Sequence, residues 1–143
     1  MSKLVAKNID LARKRAEEAE MVSQMIALWC RAHHDAASAG EGAAASNAAD
    51  DLANTVRLGR RDIHLCPECA ELRDYAIARI KHCPHMDTKT FCSACPTHCY
   101  KPEMREHIRE VMRWSGPRML RYRPIPAIKH AIVTVRAKRA AKR

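Results

Sequence analysis

Apolar side chains recur at helical spacing in four stretches of the chain. Val22, Met25, Ile26 and Trp29 fall at i, i+3, i+4 and i+7, one face of a helix read over residues 3–34. Its earlier turns, Arg13 to Glu20, are charged, with acids and bases spaced for intrahelical pairing. Cys69, Leu72, Ala76, Ile80 and Cys83 form a second stripe, at offsets 0, 3, 7, 11 and 14. Pro67 suits its first helical position and Pro84 closes it. Met104, Ile108, Val111, Met112 and Ser115 form a third stripe. Pro102 starts it, Glu103 sits where the helix dipole favours acids, and Gly116-Pro117 is the expected stop. A fourth helix carries Ile128, Ala131, Ile132 and Val135, and frays into the basic run Arg136 to Arg143. No alternating strand pattern or hairpin dipeptide stands out. The expected fold is all-α, a small helical domain crosslinked by cysteine-ligated metal sites.

The stretches between the stripes differ in character. Residues 36–54 are mostly Ala, Ser, Gly and Asn, with no large apolar side chain before Leu52. Such composition buries little, and it reads as a flexible insert, partly helical toward its end. Arg57 to Asp62 reads as a basic turn, and residues 84–100 as a cysteine-rich loop. The expected organisation is an N-terminal helix with a Cys/His end (1–35), the insert (36–56), a Cys-rich helical metal-binding domain (57–130) and a basic tail (131–143).

Composition then changes the picture. Of 143 residues, 47% are nominally hydrophobic but only 4% are aromatic, and Ala makes up much of the apolar share. A core this thin calls for a crosslink. No stretch approaches the ~20 apolar residues that span a bilayer. Met1 to Glu20 is charged throughout and lacks the apolar segment of a signal peptide. The expectation is therefore a cytoplasmic protein without membrane insertion, its thiols reduced. Seven cysteines, an odd number, then read as metal ligands rather than disulfides.

The ligand candidates fall into three groups: Cys30 with His33 and His34; Cys66-x2-Cys69; and Cys83-x8-Cys92-x2-Cys95-x3-Cys99. Each C-x2-C pair can bring two thiolates to one ion. A helix over 69–83 would hold Cys69 and Cys83 about 21 Å apart, at ~1.5 Å per residue. Ligands ~2.3 Å from a shared ion cannot be so distant. The cysteines therefore divide between two sites. Cys30, Cys66 and Cys69 with His34 make one, since i and i+4 share a helical face; His33 is the alternative. Cys83, Cys92, Cys95 and Cys99 make the other.

Other roles for these residues are plain. Cys30 beside Trp29 could be a buried hydrophobe, and His33 and His34 ordinary surface or capping groups. His64, His82, His85 and His98 lie near cysteines and could replace a ligand. Zinc is the preferred cofactor. A [4Fe–4S] cluster is the alternative at the four-cysteine site, where prolines also follow Cys83 and Cys95. Redox chemistry by metal-free thiolates is the weakest reading.

A resemblance enters on the motifs themselves. Met25-Ile-Ala-Leu-Trp-Cys30 with His33-His34, Leu65-Cys-Pro-Glu-Cys69, Tyr75-Ala and His82-Cys-Pro84 come in order. Phe91-Cys-Ser-Ala-Cys-Pro-Thr-His-Cys-Tyr-Lys-Pro102 and Val111-Met-Arg-Trp-Ser-Gly-Pro-Arg-Met119 follow. Over roughly residues 25–127 the chain resembles the bacterial nitrous oxide-stimulated promoter family. The insert at 36–54 and the tail after 130 depart from that pattern. The resemblance implies a small cytoplasmic protein induced by nitrosative stress, and it implies no established activity.

Charge supplies a second functional reading. Residues 1–100 are neutral, and the net charge of +10 lies wholly in residues 101–143. Arg105, Arg109 and Arg113 recur at i, i+4 and i+8, and Arg118, Arg121 and Arg123 extend the run, with Trp114 and Tyr122 available to stack. Nucleic acid or an acidic protein would fit such a surface. The first expectation is thus a non-enzymatic metal-binding protein of the nitrosative-stress response. The alternative is a nucleic-acid-binding module with structural metal sites. A metal-dependent enzyme is a third reading, requiring an open coordination position should His34 not be a ligand. Oligomeric state is not fixed by these features.

Overall fold

In the computed structural model, residues 2–34, 48–87, 97 and 99–142 are described. A long helix α1 (Lys3–His33) is followed by the short α2 (Ala48–Ala53) and a hairpin of β1 (Thr55–Leu58) and β2 (Arg61–His64). Then come α3 (Pro67–Lys81), α4 (Pro102–Arg118), a single 3-10 turn (Met119–Arg121) and α5 (Pro124–Ala141). Among the described residues no helix is long and apolar enough to cross a membrane.

The hairpin corrects the all-α expectation. The fold is mostly helical but carries a small antiparallel sheet where a basic turn was expected. Val56 pairs with Ile63, and Leu58 with Arg61, across a two-residue turn at Gly59-Arg60. Gly59 has φ +63°, the left-handed value that primed hairpin turns require and that glycine adopts without a Cβ penalty. Val56, Leu58, Ile63 and Leu65 face inward, and the outward Arg57 and Asp62 pair directly across the ladder at 2.8 Å. A lone two-stranded hairpin is marginal in water. This one lies against α1, where buried Gln24 donates to the Arg57 carbonyl at 3.2 Å. Buried Arg73 of α3 fixes the hairpin's entry, donating to the Ala53 carbonyl at 2.9 Å and to Asn54 at 3.2 Å.

The core forms where the C-terminal third of α1 meets α3, α4 and the hairpin's inner face. Val22, Ile26, Ala27 and Leu28 of α1 pack with Leu72, Ala76 and Ile80 of α3 and with Ile108 and Val111 of α4. The helical stripes read from the sequence supply these contacts. Ser115, fully buried on α4, donates to the Met25 carbonyl at 2.9 Å and ties α4 to α1. The Tyr75 hydroxyl accepts from the Lys101 N–H at 2.9 Å, joining α3 to the start of α4.

Three helix ends differ from the expected ones, the first being that of α3, which stops at Lys81 and leaves Cys83 two residues beyond it. α4 runs through Gly116-Pro117 to Arg118, because a proline in a last turn removes only one hydrogen bond while the following Met119 is buried in the core. α5 continues to Ala141 through the expected fraying run, since Ala, Lys and Arg are strong helix formers. Its Ile125, Ile128, Ile132 and Val135 remain exposed.

Ile26→Ala, at a position with no exposed surface, is expected to lower the unfolding free energy by about 2–5 kcal/mol. Ile9→Ala, on the exposed first half of α1, should change it by less than ~0.5 kcal/mol. Urea unfolding of the two variants beside the parent chain checks both.

Candidate metal centre

The end of α1 and the start of α3 meet at a cluster of sulfur and imidazole groups. Cys30 lies in the last turn of α1, and His34 caps that helix, its backbone N–H bonded to the Cys30 carbonyl at 2.9 Å. That i-to-i+4 bond stacks the two side chains on one face. Cys66 is the N-cap of α3, Pro67 follows in the first turn, and the Cys66 sulfur accepts the Cys69 N–H at 3.5 Å. An N-cap side chain normally satisfies this free amide, and here sulfur takes the place of the usual oxygen. The C-x2-C spacing thus coincides with the capping spacing, which brings the two sulfurs together. The hairpin places Cys66 two residues beyond β2, and the Cys66 N–H points at the Cys30 sulfur at 3.4 Å.

The Sγ atoms of Cys30, Cys66 and Cys69 and an imidazole nitrogen of His34 all lie within 4.8 Å of one another. His34 Nδ1 is 3.0 Å from the Cys66 sulfur and 3.3 Å from the Cys69 sulfur. Donors ~2.0–2.3 Å from a tetrahedral zinc ion lie about 3.5–3.8 Å from each other, so the arrangement suits such an ion with small adjustments. Among the described residues no other group of three or more Cys, His, Asp or Glu side chains converges in this way. A Cys3His group of this shape can hold a metal ion.

The electrostatics point the same way. The Cys69 thiol, hydrogen-bonded to the Cys30 sulfur, pulls the Cys30 pKa down to about 5, against the opposing effect of burial. The same bond, followed by burial and the Cys30 charge, pushes Cys69 far up. Burial first, then the nearby Cys30 charge among other contacts, raises Cys66. Without a cation the cluster accommodates one thiolate and resists a second. A dication would remove that repulsion and let all three ionise.

His33 points elsewhere. Its ring stacks on Trp29 at 3.7 Å, meets Trp114 edge-on at 4.7 Å, and its Nδ1 lies 3.1 Å from the Trp29 carbonyl. Packing thus sets His34, and not His33, beside the cysteines. Of the four-cysteine set, Cys83 is buried, Cys99 is exposed, and Cys92 and Cys95 lie outside the described residues. His85 contacts Thr97 at 2.7 Å, and His98 is also outside the described residues.

The six arginines do not form one surface. Arg105, Arg109 and Arg113 share a helical face, but Arg118 is thirteen residues past Arg105, some 220° further round α4. Arg109 pairs with Glu106 at 3.8 Å, and Arg123 with Glu20 at 3.2 Å. Arg118 lies over the Trp114 ring at 3.9 Å, beside Arg121. Arg31 of α1 joins these two, a neighbour no spacing rule connects with them.

Fold and site together define a small, mostly helical protein with a Cys3His cluster between one helix end and the start of another. The chain belongs to the nitrous oxide-stimulated promoter family, whose model matches residues 13–143. Over 58 residues it is 45% identical to the uncharacterized protein YgbA of Escherichia coli (strain K12). That stretch covers 41% of this chain and 50% of YgbA, so the chain spans about half the length of this curated relative. No solved structure matches.

His34→Ala is expected to weaken zinc binding by more than the ~10–100-fold that changes around a metal site cause. His33→Ala should leave it within a few-fold, because that ring packs against tryptophan. Competition with a chelating zinc indicator checks the pair.

Proposed function

We propose that this chain is a cytoplasmic, non-enzymatic metal-binding protein of the nitrosative-stress response, with zinc held by Cys30, His34, Cys66 and Cys69. The observation that carries the reading is the convergence of four donors, from segments more than thirty residues apart, within 4.8 Å. Three thiolates and one imidazole are a familiar structural zinc set, and the histidine favours zinc over a [4Fe–4S] cluster at this position. Four protein donors fill a tetrahedral ion, which supports a crosslinking role over catalysis. The crosslink would pin the end of α1 to the start of α3, beside a core with few aromatic residues. Cys83, Cys92, Cys95 and Cys99 form, in this reading, a second four-thiolate set for zinc or a cluster.

Family membership supplies the link to nitrogen oxides, and thiolate chemistry supplies a route. A ligand thiolate attacks dinitrogen trioxide, an S–N bond forms, and nitrite leaves. The resulting S-nitrosothiol has lost its negative charge and binds a dication poorly. Nitrosation would thus open the crosslink and report the stress.

Metal and acid-labile sulfide analysis of untagged protein purified without oxygen tests the reading. One zinc per chain and no sulfide corresponds to the Cys3His site alone. Two zincs extend the assignment to the second set, whereas about four irons with four sulfides beside one zinc place a cluster there. Protein that holds no zinc after reconstitution overturns the proposal. Treatment with an S-nitrosating reagent is expected to release the zinc of the Cys3His site, and reduction with dithiothreitol to restore binding.

A further inference from the structure

A groove lies between the last turn of α1, the end of α4 and the 3-10 turn, on the side of α1 turned away from the cysteines. It encloses about 420 Å³, within the ~300–1,000 Å³ of small-molecule sites. Arg31, Arg118 and Arg121 line it together with Trp114, Tyr122 and Leu28, and no carboxylate does. Five arginines outside the groove, Arg13, Arg57, Arg73, Arg109 and Arg123, each have a carboxylate oxygen within 4.0 Å. Arg31, Arg118 and Arg121 have none among the described residues.

Part of this lining is held in place before any ligand arrives. Trp114 is braced edge-on by Trp29 at 5.8 Å and by His33 at 4.7 Å. The Arg118 guanidinium lies 3.9 Å from the Trp114 ring, and its Nη1 donates to the Trp114 carbonyl at 2.7 Å. That leaves a flat cation, anchored on the Trp114 ring and carbonyl, on which a planar ring can stack. Arg31 and Arg121 add forked donors of the shape that phosphate accepts. A bare anion would leave the aromatic and aliphatic lining unused, and an apolar ligand would strand three cations. A ligand with both a planar ring and a phosphate uses every part of the groove.

We infer that this groove binds a nucleotide unit, its base against the Trp114–Arg118 stack and its phosphate on Arg31 and Arg121. The unit is either a free mononucleotide or part of a single strand. The inference is independent of the metal assignment, since none of the four cluster ligands lines the groove.

The chain's two tryptophans both belong to this stack, so its intrinsic fluorescence reports directly on the site. The test titrates the full chain as isolated, at low salt, with AMP, GMP, an RNA octamer and inorganic phosphate. Saturable quenching by a mononucleotide identifies the free ligand, and quenching by the octamer alone identifies the strand. Either supports the inference. Arg31→Glu and Arg121→Glu alter exposed side chains and should each weaken binding about ten- to a hundredfold. Arg136→Glu, on α5 outside the groove, should leave it unchanged. The inference is overturned by no saturable quenching up to roughly millimolar ligand. It is equally overturned if Arg136→Glu weakens binding as much as the groove variants do, or if inorganic phosphate competes as well as the nucleotides.

Discussion

Three sulfurs and an imidazole nitrogen lie within 4.8 Å of one another where the end of α1 meets the start of α3, a donor set that can hold a metal ion. Only Cys30 ionises readily there, and its charge holds its neighbours protonated. Each sulfur also sits at a helix end, where free amides and partial charges favour an anion on α3 but leave α1 with unpaired carbonyls. A positive ion held there would join the two helices. The rest of the core is mostly Leu, Ile and Val, with no aromatic ring among the buried residues described.

The small hairpin gives the junction its geometry. Its inward Val56, Leu58, Ile63 and Leu65 fill the space beside α1, and its last strand delivers Cys66 to the Cys30 sulfur. Arg73 and Gln24, both buried polar side chains, spend their hydrogen bonds on the hairpin's ends and turn-side carbonyl. A buried polar group without such partners would be costly, so these bonds fix one position of the hairpin rather than a range. The ladder thus acts as a spacer of defined length between the insert and the C-x2-C helix.

The last turn of α1 serves two faces at once. Cys30 and His34 turn toward the cysteines of α3, while Trp29 and His33 turn toward Trp114. Arg31 faces the groove beyond. Helical periodicity makes this sharing unavoidable, since residues one apart differ by about 100° in direction. A change in the cluster that moved this turn would shift the aromatic stack with it.

Much of this was written in residue spacing. The stripes at 22–29, 69–83 and 104–115 follow from 3.6-residue periodicity, a local property, and their inner residues fill the core. The C-x2-C pair is legible because capping and chelation demand the same three-residue step. Helical rise over Pro67–Lys81 carries the chain away from Cys69 before Cys83 is reached. What escaped was short or non-local. Strands of four residues give too few alternations to stand out, and Gly59-Arg60 is no common turn pair, although Val56, Leu58, Ile63 and Leu65 do alternate in hindsight. Whether His33 or His34 meets the cysteines depended on where Trp114, about eighty residues further along the chain, packs against α1. The six arginines read as one basic face because sequence shows proximity along the chain and not direction around a helix. Only the packing of α1 on α4 set Arg31 beside Arg118 and Arg121, since side chains from separate elements acquire a common surface only when the elements dock.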